Sequence, residues 1–120
     1  MPSEHDPQML KGVLSLLLLQ LLSDRESYGY EVVQRLRDLG LADINEGSVY
    51  PALARLEREA RLQTHLVASQ SGPARKYYRP TPAGRKALAE GAASWRSLAA
   101  VVGPVLEQTP STRPARTGRS

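Results

Sequence analysis

The segment from Glu46 to Ala60 constrains the fold most strongly, because its apolar and polar residues separate onto two faces of a helix. At about 100° per residue, one narrow sector collects the apolar side chains Val49, Leu53, Leu56 and Ala60. The opposite sector collects Ser48, Pro51, Arg55 and Arg58. Such a helix packs on a core along one face and leaves a polar, cationic face exposed.

The start of this third helix has two possible positions, which differ in the cost of Pro51. If Asn45 is the N-cap, Pro51 lies in the second turn and removes a backbone hydrogen bond. If Gly47 is the N-cap, Pro51 lies near the first turn, where a proline costs less. The sequence does not decide between them.

Two further helices are predicted before it. The first runs from about Pro7 to Ser23, with Asp6 as its N-cap and Pro7 in the first helical position. The second runs from about Tyr28 to Leu39, with Ser27 as its cap and Gly40 at its end. Its predicted inner stripe is Val32, Val33, Leu36 and Leu39.

Two extended segments follow the third helix. Alternation over Thr64–Ser69 indicates a strand, and Gln70–Ala74 is a turn by its composition. The return segment Arg75–Arg79 places aromatic residues between positive charges. Because neighbouring residues of a strand point to opposite faces, we expect one of Tyr77 and Tyr78 in the core and the other exposed. The sequence therefore predicts one β-hairpin with a basic return strand.

A long last helix is predicted from Thr81, its N-cap, to about Val102, where Gly103 and Pro104 break or kink it. Its apolar residues follow the four-three spacing of a coiled coil, namely Leu88, Ala92, Trp95, Ala99 and Val102. This stripe is either a dimer interface anchored by Trp95 or the wall of a small-molecule pocket between subunits. Residues 109–120 contain no large apolar side chain, so a disordered tail is expected there.

Composition narrows the class of protein. The 120-residue chain is 41% hydrophobic, enough for one modest core that a dimer interface can supplement. It has no cysteine, which excludes disulfides, thiol catalysis and cysteine-bound zinc and suits a reducing compartment. The N-terminus lacks the positive charge of a secretory signal, and the Leu-rich run is far shorter than the ~20 residues of a membrane span. We therefore expect a cytoplasmic protein with no membrane partner.

Charge is distributed unequally along the chain. Residues 1–54 carry four basic and eight acidic side chains, whereas residues 55–120 carry twelve basic and four acidic ones. A basic half of this kind can meet a polyanion such as nucleic acid, and the alternative is a solvated basic surface.

The predicted order of elements points to a fold class. Three short helices, a hairpin and a long helix make a mainly α protein with the layout of a winged helix-turn-helix domain. The major groove of DNA is about 12 Å wide and admits a helix such as the third one. We expect residues 1–80 to form the DNA-binding domain, residues 81–108 a dimerisation helix and residues 109–120 the tail.

Four motifs of this sequence resemble those of the PadR family of bacterial transcriptional regulators. They are Tyr28-Gly29-Tyr30-Glu31, Glu46-Gly47-Ser48-Val49-Tyr50-Pro51-Ala52-Leu53 with Arg55-Leu56-Glu57, Arg75-Lys76-Tyr77-Tyr78-Arg79 and Thr81-Pro82-Ala83-Gly84-Arg85. The resemblance spans about Leu10 to Glu107 and is closest to the smaller subgroup, in which one long last helix mediates dimerisation. It implies a homodimer on double-stranded DNA and, in some relatives, a small-molecule effector at the dimer interface.

The sequence departs from the family pattern at two places. Ala60 and Arg61 stand where the family usually has glycine and an apolar residue, and alanine in a left-handed C′ position is strained. We therefore expect the third helix to end differently. Pro80 stands where an apolar residue is common, and we expect it to end the hydrogen bonding of the return strand early.

The residues expected to contact DNA lie on the second and third helices and on the hairpin. They are Tyr28, Asn45, Ser48, Tyr50, Pro51, Arg55, Arg58, Arg75 and Lys76. For several a structural alternative remains: Tyr50 can pack on the second helix, Arg55 can pair with Glu59, and Asn45 or Ser48 can merely cap the helix. His5 and His65 are too isolated for a metal or acid–base site, and no cofactor is expected.

Three other functions compete with a DNA-binding regulator. An enzyme is disfavoured because the sequence has no phosphate-binding glycine loop, no nucleophile elbow and no paired carboxylates with a histidine. A protein-interaction module that has lost DNA binding leaves the basic face of the third helix unexplained. An RNA-binding winged helix is disfavoured because the chain has no phenylalanine and its tyrosines follow core-like patterns.

Overall fold

The computed structural model describes residues 5–108, so the predicted tail over residues 109–120 lies outside the described residues. The elements, in chain order, are α1 Pro7–Asp24, β1 Ser27–Tyr28, α2 Gly29–Asp38, α3 Glu46–Arg58, β2 Leu62–Val67, β3 Arg75–Pro80 and α4 Pro82–Glu107. The chain divides into two compact units, one ending at Ala89 and the other beginning at Glu90. The fold is mainly helical with a small antiparallel sheet, as predicted.

The core of the first unit lies between α1, α2 and α3. Its fully buried side chains include Leu18 and Leu22 from α1, Val32, Val33 and Leu36 from α2, and Val49, Leu53 and Leu56 from α3. The apolar face predicted for the third helix is therefore confirmed over these three residues. Leu39 was wrongly assigned to the inner stripe of α2, because it is the C-cap residue and is 59% exposed.

The cap of α1 is confirmed and that of α2 is not. Asp6 accepts a hydrogen bond from the Gln8 backbone N–H at 2.9 Å, with Pro7 in the first turn. Ser27 does not cap α2: it is fully buried in β1, and its Oγ accepts a hydrogen bond from Arg35 at 2.7 Å. The residue before α2 is Tyr28, which forms no side-chain cap.

The sheet has three strands in the order β1-β3-β2, rather than the single hairpin that the sequence predicted. Strand β1 is only two residues long and pairs Ser27 with Tyr78 and Tyr28 with Tyr77. The β2–β3 ladder extends from Val67 opposite Arg75 to Leu62 opposite Pro80. The expectation that Pro80 ends the pairing early is therefore wrong, since the strand includes this buried proline.

Asn45 is the N-cap of α3, and its Oδ1 accepts a hydrogen bond from the Ser48 backbone N–H at 3.2 Å. This selects Asn45 over Gly47 as the cap and places Pro51 inside the helix. The helix ends at Arg58, so Ala60 is not part of its apolar face but an exposed residue beyond it.

The ends of α2 and α3 share one hydrogen-bonding motif. After α3, the Ala60 N–H donates to the Glu57 carbonyl at 3.0 Å and the Arg61 N–H to the Leu56 carbonyl at 2.8 Å. After α2, Gly40 and Leu41 form the equivalent bonds. This is a Schellman motif, whose C′ residue has a positive φ. That residue is Gly40 after α2, with φ +119°, and Ala60 after α3, with φ +62°. The expectation that α3 ends differently is wrong: alanine adopts the conformation that usually requires glycine.

The start of α4 is joined to the end of α3 by hydrogen bonds. Thr81 caps α4 as predicted, with its Oγ1 accepting from the Gly84 N–H at 3.0 Å. The same Oγ1 donates to the Ala60 carbonyl at 2.6 Å, and the Thr81 N–H donates to the Arg61 carbonyl at 3.1 Å. Gly84 lies so close to this carbonyl that a side chain at position 84 would collide with it.

The second unit contains the remainder of α4. The helix continues through Gly103 and Pro104 to Glu107, so the predicted end near Val102 is wrong. Several large apolar side chains are exposed on it, including Trp95, Leu98, Val101, Val102 and Val105. None of the helices within residues 5–108 has the length and apolar character needed to cross a lipid bilayer.

Candidate nucleic-acid interface

The outer face of α3 is open to solvent. Ser48, Pro51, Arg55 and Arg58 are all exposed, whereas Val49, Leu53 and Leu56 on the other face are buried. At 100° per residue, Glu46 and Glu57 lie beside the apolar sector, and Glu59 lies at the edge of the outer face. The centre of the face is therefore cationic and polar.

Arg55 is exposed but held in place by α1. Its Nη2 donates a hydrogen bond to the Ser15 Oγ at 3.0 Å. The alternative ion pair between Arg55 and Glu59 is not formed. The Glu59 Oε1 instead lies 3.8 Å from the Arg61 Nη1. No local pattern points to Ser15, because the contact joins residues 40 positions apart and depends on how α1 crosses α3.

Arg58 differs from Arg55 in its surroundings. Within residues 5–108 it forms no ion pair and no side-chain hydrogen bond, and its side chain is exposed. Asn45 is occupied in capping α3, whereas the exposed Ser48 contributes only its backbone N–H to that cap. The outer face of α3 thus offers one tethered arginine, one untethered arginine and a serine hydroxyl.

Tyr50 lies beside the start of α2. Its ring contacts Gly29 so closely that a Cβ built at Gly29 would lie 2.5 Å from the ring carbon Cε1. The side chain is 42% exposed. Burial, followed by the neighbouring Glu46, raises the pKa of Tyr50 above its usual value.

The two basic residues at the start of β3 have different partners. The Arg75 guanidinium lies over the ring of Tyr28, 4.4 Å from its centroid. The Lys76 Nζ forms an ion pair with Glu57 of α3 at 3.1 Å, and this hydrogen bond raises the pKa of Lys76. Glu57 also accepts a hydrogen bond from the Thr64 hydroxyl of β2 at 3.3 Å. Glu57 therefore joins α3 to both long strands.

Four of the predicted residues line one shallow cavity of about 280 Å³, between the start of α2, α3 and β3. They are Tyr28, Tyr50, Arg75 and Lys76, and the cavity also includes Gly29, Tyr30 and Tyr78. Tyr30 was not predicted, although its place in the Tyr-Gly-Tyr motif was visible. We call the hairpin of β2 and β3 the wing. The structure thus brings the aromatic residues and the wing residues Arg75 and Lys76 together, while Ser48, Arg55 and Arg58 lie on the outer face of α3.

Tyr77 and Tyr78 occupy opposite faces of β3, as alternation requires. Tyr78 packs against the core, and Tyr77 contacts the rings of Tyr28 and His65. Both are half-buried, so the expectation that one is exposed is wrong. The reason is β1, which places Tyr28 over the outer face of the sheet.

Arg35 anchors β1 and was not recognised from the sequence. Its guanidinium donates to the Ser27 Oγ, to the Arg25 carbonyl at 2.9 Å and to the Leu21 carbonyl at 2.8 Å. Burial lowers the pKa of Arg35. These bonds tie the end of α1 to β1 and so fix the strand that carries Tyr28.

The residues predicted for a dimer interface or effector pocket lie along α4. Leu88 packs against the core of the first unit. The other four lie in the second unit, where Trp95 and Val102 are exposed and Ala92 and Ala99 are half-buried. Leu98, Val101 and Val105 are also exposed and widen this apolar stripe beyond the predicted spacing.

The described residues hold no group of three side chains suited to a metal ion. His65 lies 3.5 Å from the Glu26 carboxylate and is partly exposed.

Comparison with known proteins gives a consistent result. Residues 18–90 match the Transcriptional regulator PadR-like family. The chain is 36% identical to transcriptional regulator Rv3488 of Mycobacterium tuberculosis over 92 residues, which cover 74% of this chain and 81% of that protein.

Solved structures agree with this match. A PadR-like transcriptional regulator from Bacillus cereus is 41% identical, with a TM-score of 0.75, over 82% of this chain and 96% of its own. A PadR family regulator from Eggerthella lenta is 36% identical, also with a TM-score of 0.75, over 83% of this chain and 87% of its own.

Proposed function

The chain belongs to the PadR-like family of transcriptional regulators, and we propose that it is a repressor that binds a specific DNA sequence as a homodimer. The observation that carries this proposal is the outer face of α3. Ser48, Arg55 and Arg58 are exposed there, on a helix whose other face is anchored in the core. A protein-interaction module without DNA binding has no need for this arrangement.

In the proposed complex, α3 lies in the major groove. Arginine reads guanine by donating two hydrogen bonds to its O6 and N7 atoms, and Arg55 and Arg58 are suited to this contact. Ser15 limits the positions that Arg55 can adopt, because it holds the guanidinium before DNA arrives. Ser48 and Asn45 lie at the N-terminal end of the helix, within reach of base edges or phosphates.

The cavity beside α2 is assigned to the DNA backbone. Tyr28 and Tyr50 supply hydroxyl donors, and Arg75 and Lys76 supply charge. Contacts to phosphates fix the register of a protein on DNA, while contacts to bases supply specificity. This division assigns register to the tyrosines and the wing, and specificity to the outer face of α3.

The apolar stripe of α4 is assigned to dimerisation, together with α1. A helix that exposes Trp95, Leu98 and Val101 to water gains free energy by burying them against a second copy. Residues 1–80 then form the DNA-binding domain and residues 81–108 the dimerisation helix. Two recognition helices placed in successive major grooves lie about 10 bp apart, so the operator is an imperfect palindrome.

Repression follows if the operator lies at a promoter, because a dimer bound there blocks RNA polymerase. A small-molecule effector that binds beside Trp95 at the subunit interface releases the DNA, if it prefers a different spacing of the two α3 helices. The double-stranded DNA and the second subunit are the primary partners, and the effector is secondary.

A gel-shift comparison tests the proposal. We expect duplex DNA from upstream of the gene to be retarded at lower protein concentration than a duplex of random sequence or a single-stranded RNA of equal length. Equal retardation of RNA and DNA would indicate an RNA-binding winged helix. No retardation of any nucleic acid at low salt would indicate a protein-interaction module.

A further inference from the structure

We propose that Gly29 is a positioning residue for DNA binding, which seats the ring of Tyr50 so that its hydroxyl meets a backbone phosphate. This inference rests on the proposed function and extends it to a residue that does not itself contact DNA.

The contact between Gly29 and Tyr50 leaves no room for a side chain. A Cβ added at Gly29 would lie 2.5 Å from Cε1, 3.2 Å from Cζ and 3.3 Å from Cδ1 of the Tyr50 ring. Because these three atoms form one edge of the ring, that edge lies directly against the first residue of α2. The ring occupies the volume that any other residue at position 29 would fill.

The backbone conformation does not explain the glycine. Among the described glycines, a positive φ occurs at Gly40 and Gly72 and not at Gly29. Gly29 is the first residue of α2, where alanine is as acceptable to the backbone as glycine. The close approach of Tyr50 is therefore the feature of this structure that requires glycine here.

The seat of the ring determines where its hydroxyl lies. Tyr50 lines the same cavity as Tyr28, Arg75 and Lys76, so it shares this cavity with two cationic side chains. The hydroxyl of a tyrosine is protonated at neutral pH and can donate a hydrogen bond to a phosphate oxygen. A displaced ring would retain the same hydroxyl but aim it elsewhere.

Three variants and a control test the proposal by DNA binding. The variants are Gly29→Ala, Tyr50→Phe and the double substitution, and the control is Gly12→Ala, because Gly12 is a helical glycine with open space around it. The probe is a fluorescent 30-bp duplex of random sequence at low salt, since phosphate contacts do not depend on sequence. Loss of one hydrogen bond to a charged phosphate weakens binding about tenfold.

We expect Gly29→Ala and Tyr50→Phe each to show this loss of affinity. The double variant should bind no more weakly than the weaker of the two single variants. The control Gly12→Ala should bind like the unsubstituted chain. The proposal would be overturned if Gly29→Ala bound the duplex with wild-type affinity. It would also be overturned if the fold-loss of the double variant equalled the product of the fold-losses of the two single variants.

A second measurement separates the contact from DNA binding altogether. In the unsubstituted chain, Gly29→Ala should lower the urea midpoint, because the new methyl group displaces the ring. In a Tyr50→Ala background the ring is absent, so the same substitution should leave the midpoint unchanged or raise it. An equal fall in both backgrounds would overturn the proposal, since the methyl group would then collide with something other than Tyr50.

A failure of the proposed function and a failure of the Gly29 proposal give different results. If the unsubstituted chain does not bind the duplex, the proposed function is wrong, and Gly29 has no DNA contact to position. If the chain binds but Gly29→Ala changes neither affinity nor the midpoint, the proposed function stands and the role of Gly29 is overturned.

Discussion

Ala60 has a backbone conformation that its side chain disfavours. Alanine with a positive φ costs about 1–2 kcal/mol, because its Cβ approaches the neighbouring carbonyl oxygen. The chain places glycine at the equivalent position after α2, where Gly40 completes the same motif. The Thr81 hydroxyl donates a hydrogen bond to the Ala60 carbonyl and so stabilises this backbone conformation.

Substituting Ala60 by glycine is therefore expected to stabilise the protein. The relief of strain is partly offset by the greater freedom of glycine in the unfolded chain, so the net gain should be about 0.5–1 kcal/mol. Urea denaturation at fixed protein concentration measures it. The reciprocal control, Gly40→Ala, should lose about 1 kcal/mol or more. A less stable Ala60→Gly variant would contradict the assignment of the left-handed cap.

Arg55 and Arg58 give a second prediction at this scale. Replacing either by alanine should weaken binding to the specific operator by about 1–3 kcal/mol if it contacts a base edge. Arg96→Ala removes the same charge from the second unit and should have little effect on specificity. Fluorescence anisotropy with operator and random duplexes measures the difference, and unchanged operator affinity would remove that arginine from the interface.

At the scale of elements, Glu57 determines how α3 and the wing meet. Its carboxylate pairs with Lys76 and accepts a hydrogen bond from the Thr64 hydroxyl. Part of the positive charge expected to face DNA, that of Lys76, is therefore paired within the protein. The sequence predicted Lys76 as a contact but could not show this pairing, which depends on the placement of the sheet beside α3.

Glu57→Gln is expected to release Lys76 for a phosphate. Non-specific affinity should rise, and the slope of log K against log salt concentration should steepen by about 0.9 for one additional phosphate contact. Glu59→Gln is the matched control, because its partner Arg61 lies at the longer distance of 3.8 Å. An unchanged slope in Glu57→Gln would show that the pairing with Glu57 does not keep Lys76 from a phosphate.

Thr81 links the end of α3 to α4. Thr81→Val removes both the cap of α4 and the bond to the Ala60 carbonyl, and should cost about 1–2 kcal/mol of unfolding free energy. Thr64→Val, which loses only the longer bond to Glu57, should cost less. Thermal or urea unfolding compares the two, and an equal loss would mean that the α3–α4 link contributes little.

The existence and type of the long elements followed from the sequence because each depends on local signals. The periodicity of α3, the Asp6 cap and the Thr81-Pro82 start all act within one or two turns. Strand β1 was missed because two residues carry no periodic signal and the strand exists only through its pairing with β3. The same limit explains the error at Ser27, and why Ser15 and Arg35 were not found. The error at Leu39 has a local cause, because α2 ends one residue earlier than predicted.

At the scale of the whole molecule, the exposed apolar residues of α4 predict a dimer in solution. The double substitution Leu98→Lys with Val101→Lys should produce a monomer with weaker operator binding, because it places charges in the proposed interface. Ala93→Lys with Ala100→Lys adds the same charges on the other side of α4 and should leave the dimer intact. Light scattering reports the mass, and a monomeric unsubstituted chain would refute this interface.

Selection from a random 30-bp duplex library measures whether the outer face of α3 reads DNA sequence. We expect enrichment of an imperfect palindrome with half-sites about 10 bp apart. We also expect Arg55→Ala or Arg58→Ala to relax the preference at individual positions of each half-site. Enrichment of no sequence by a folded protein that binds the library, or the same motif from wild type and both arginine variants, would contradict sequence reading by this face.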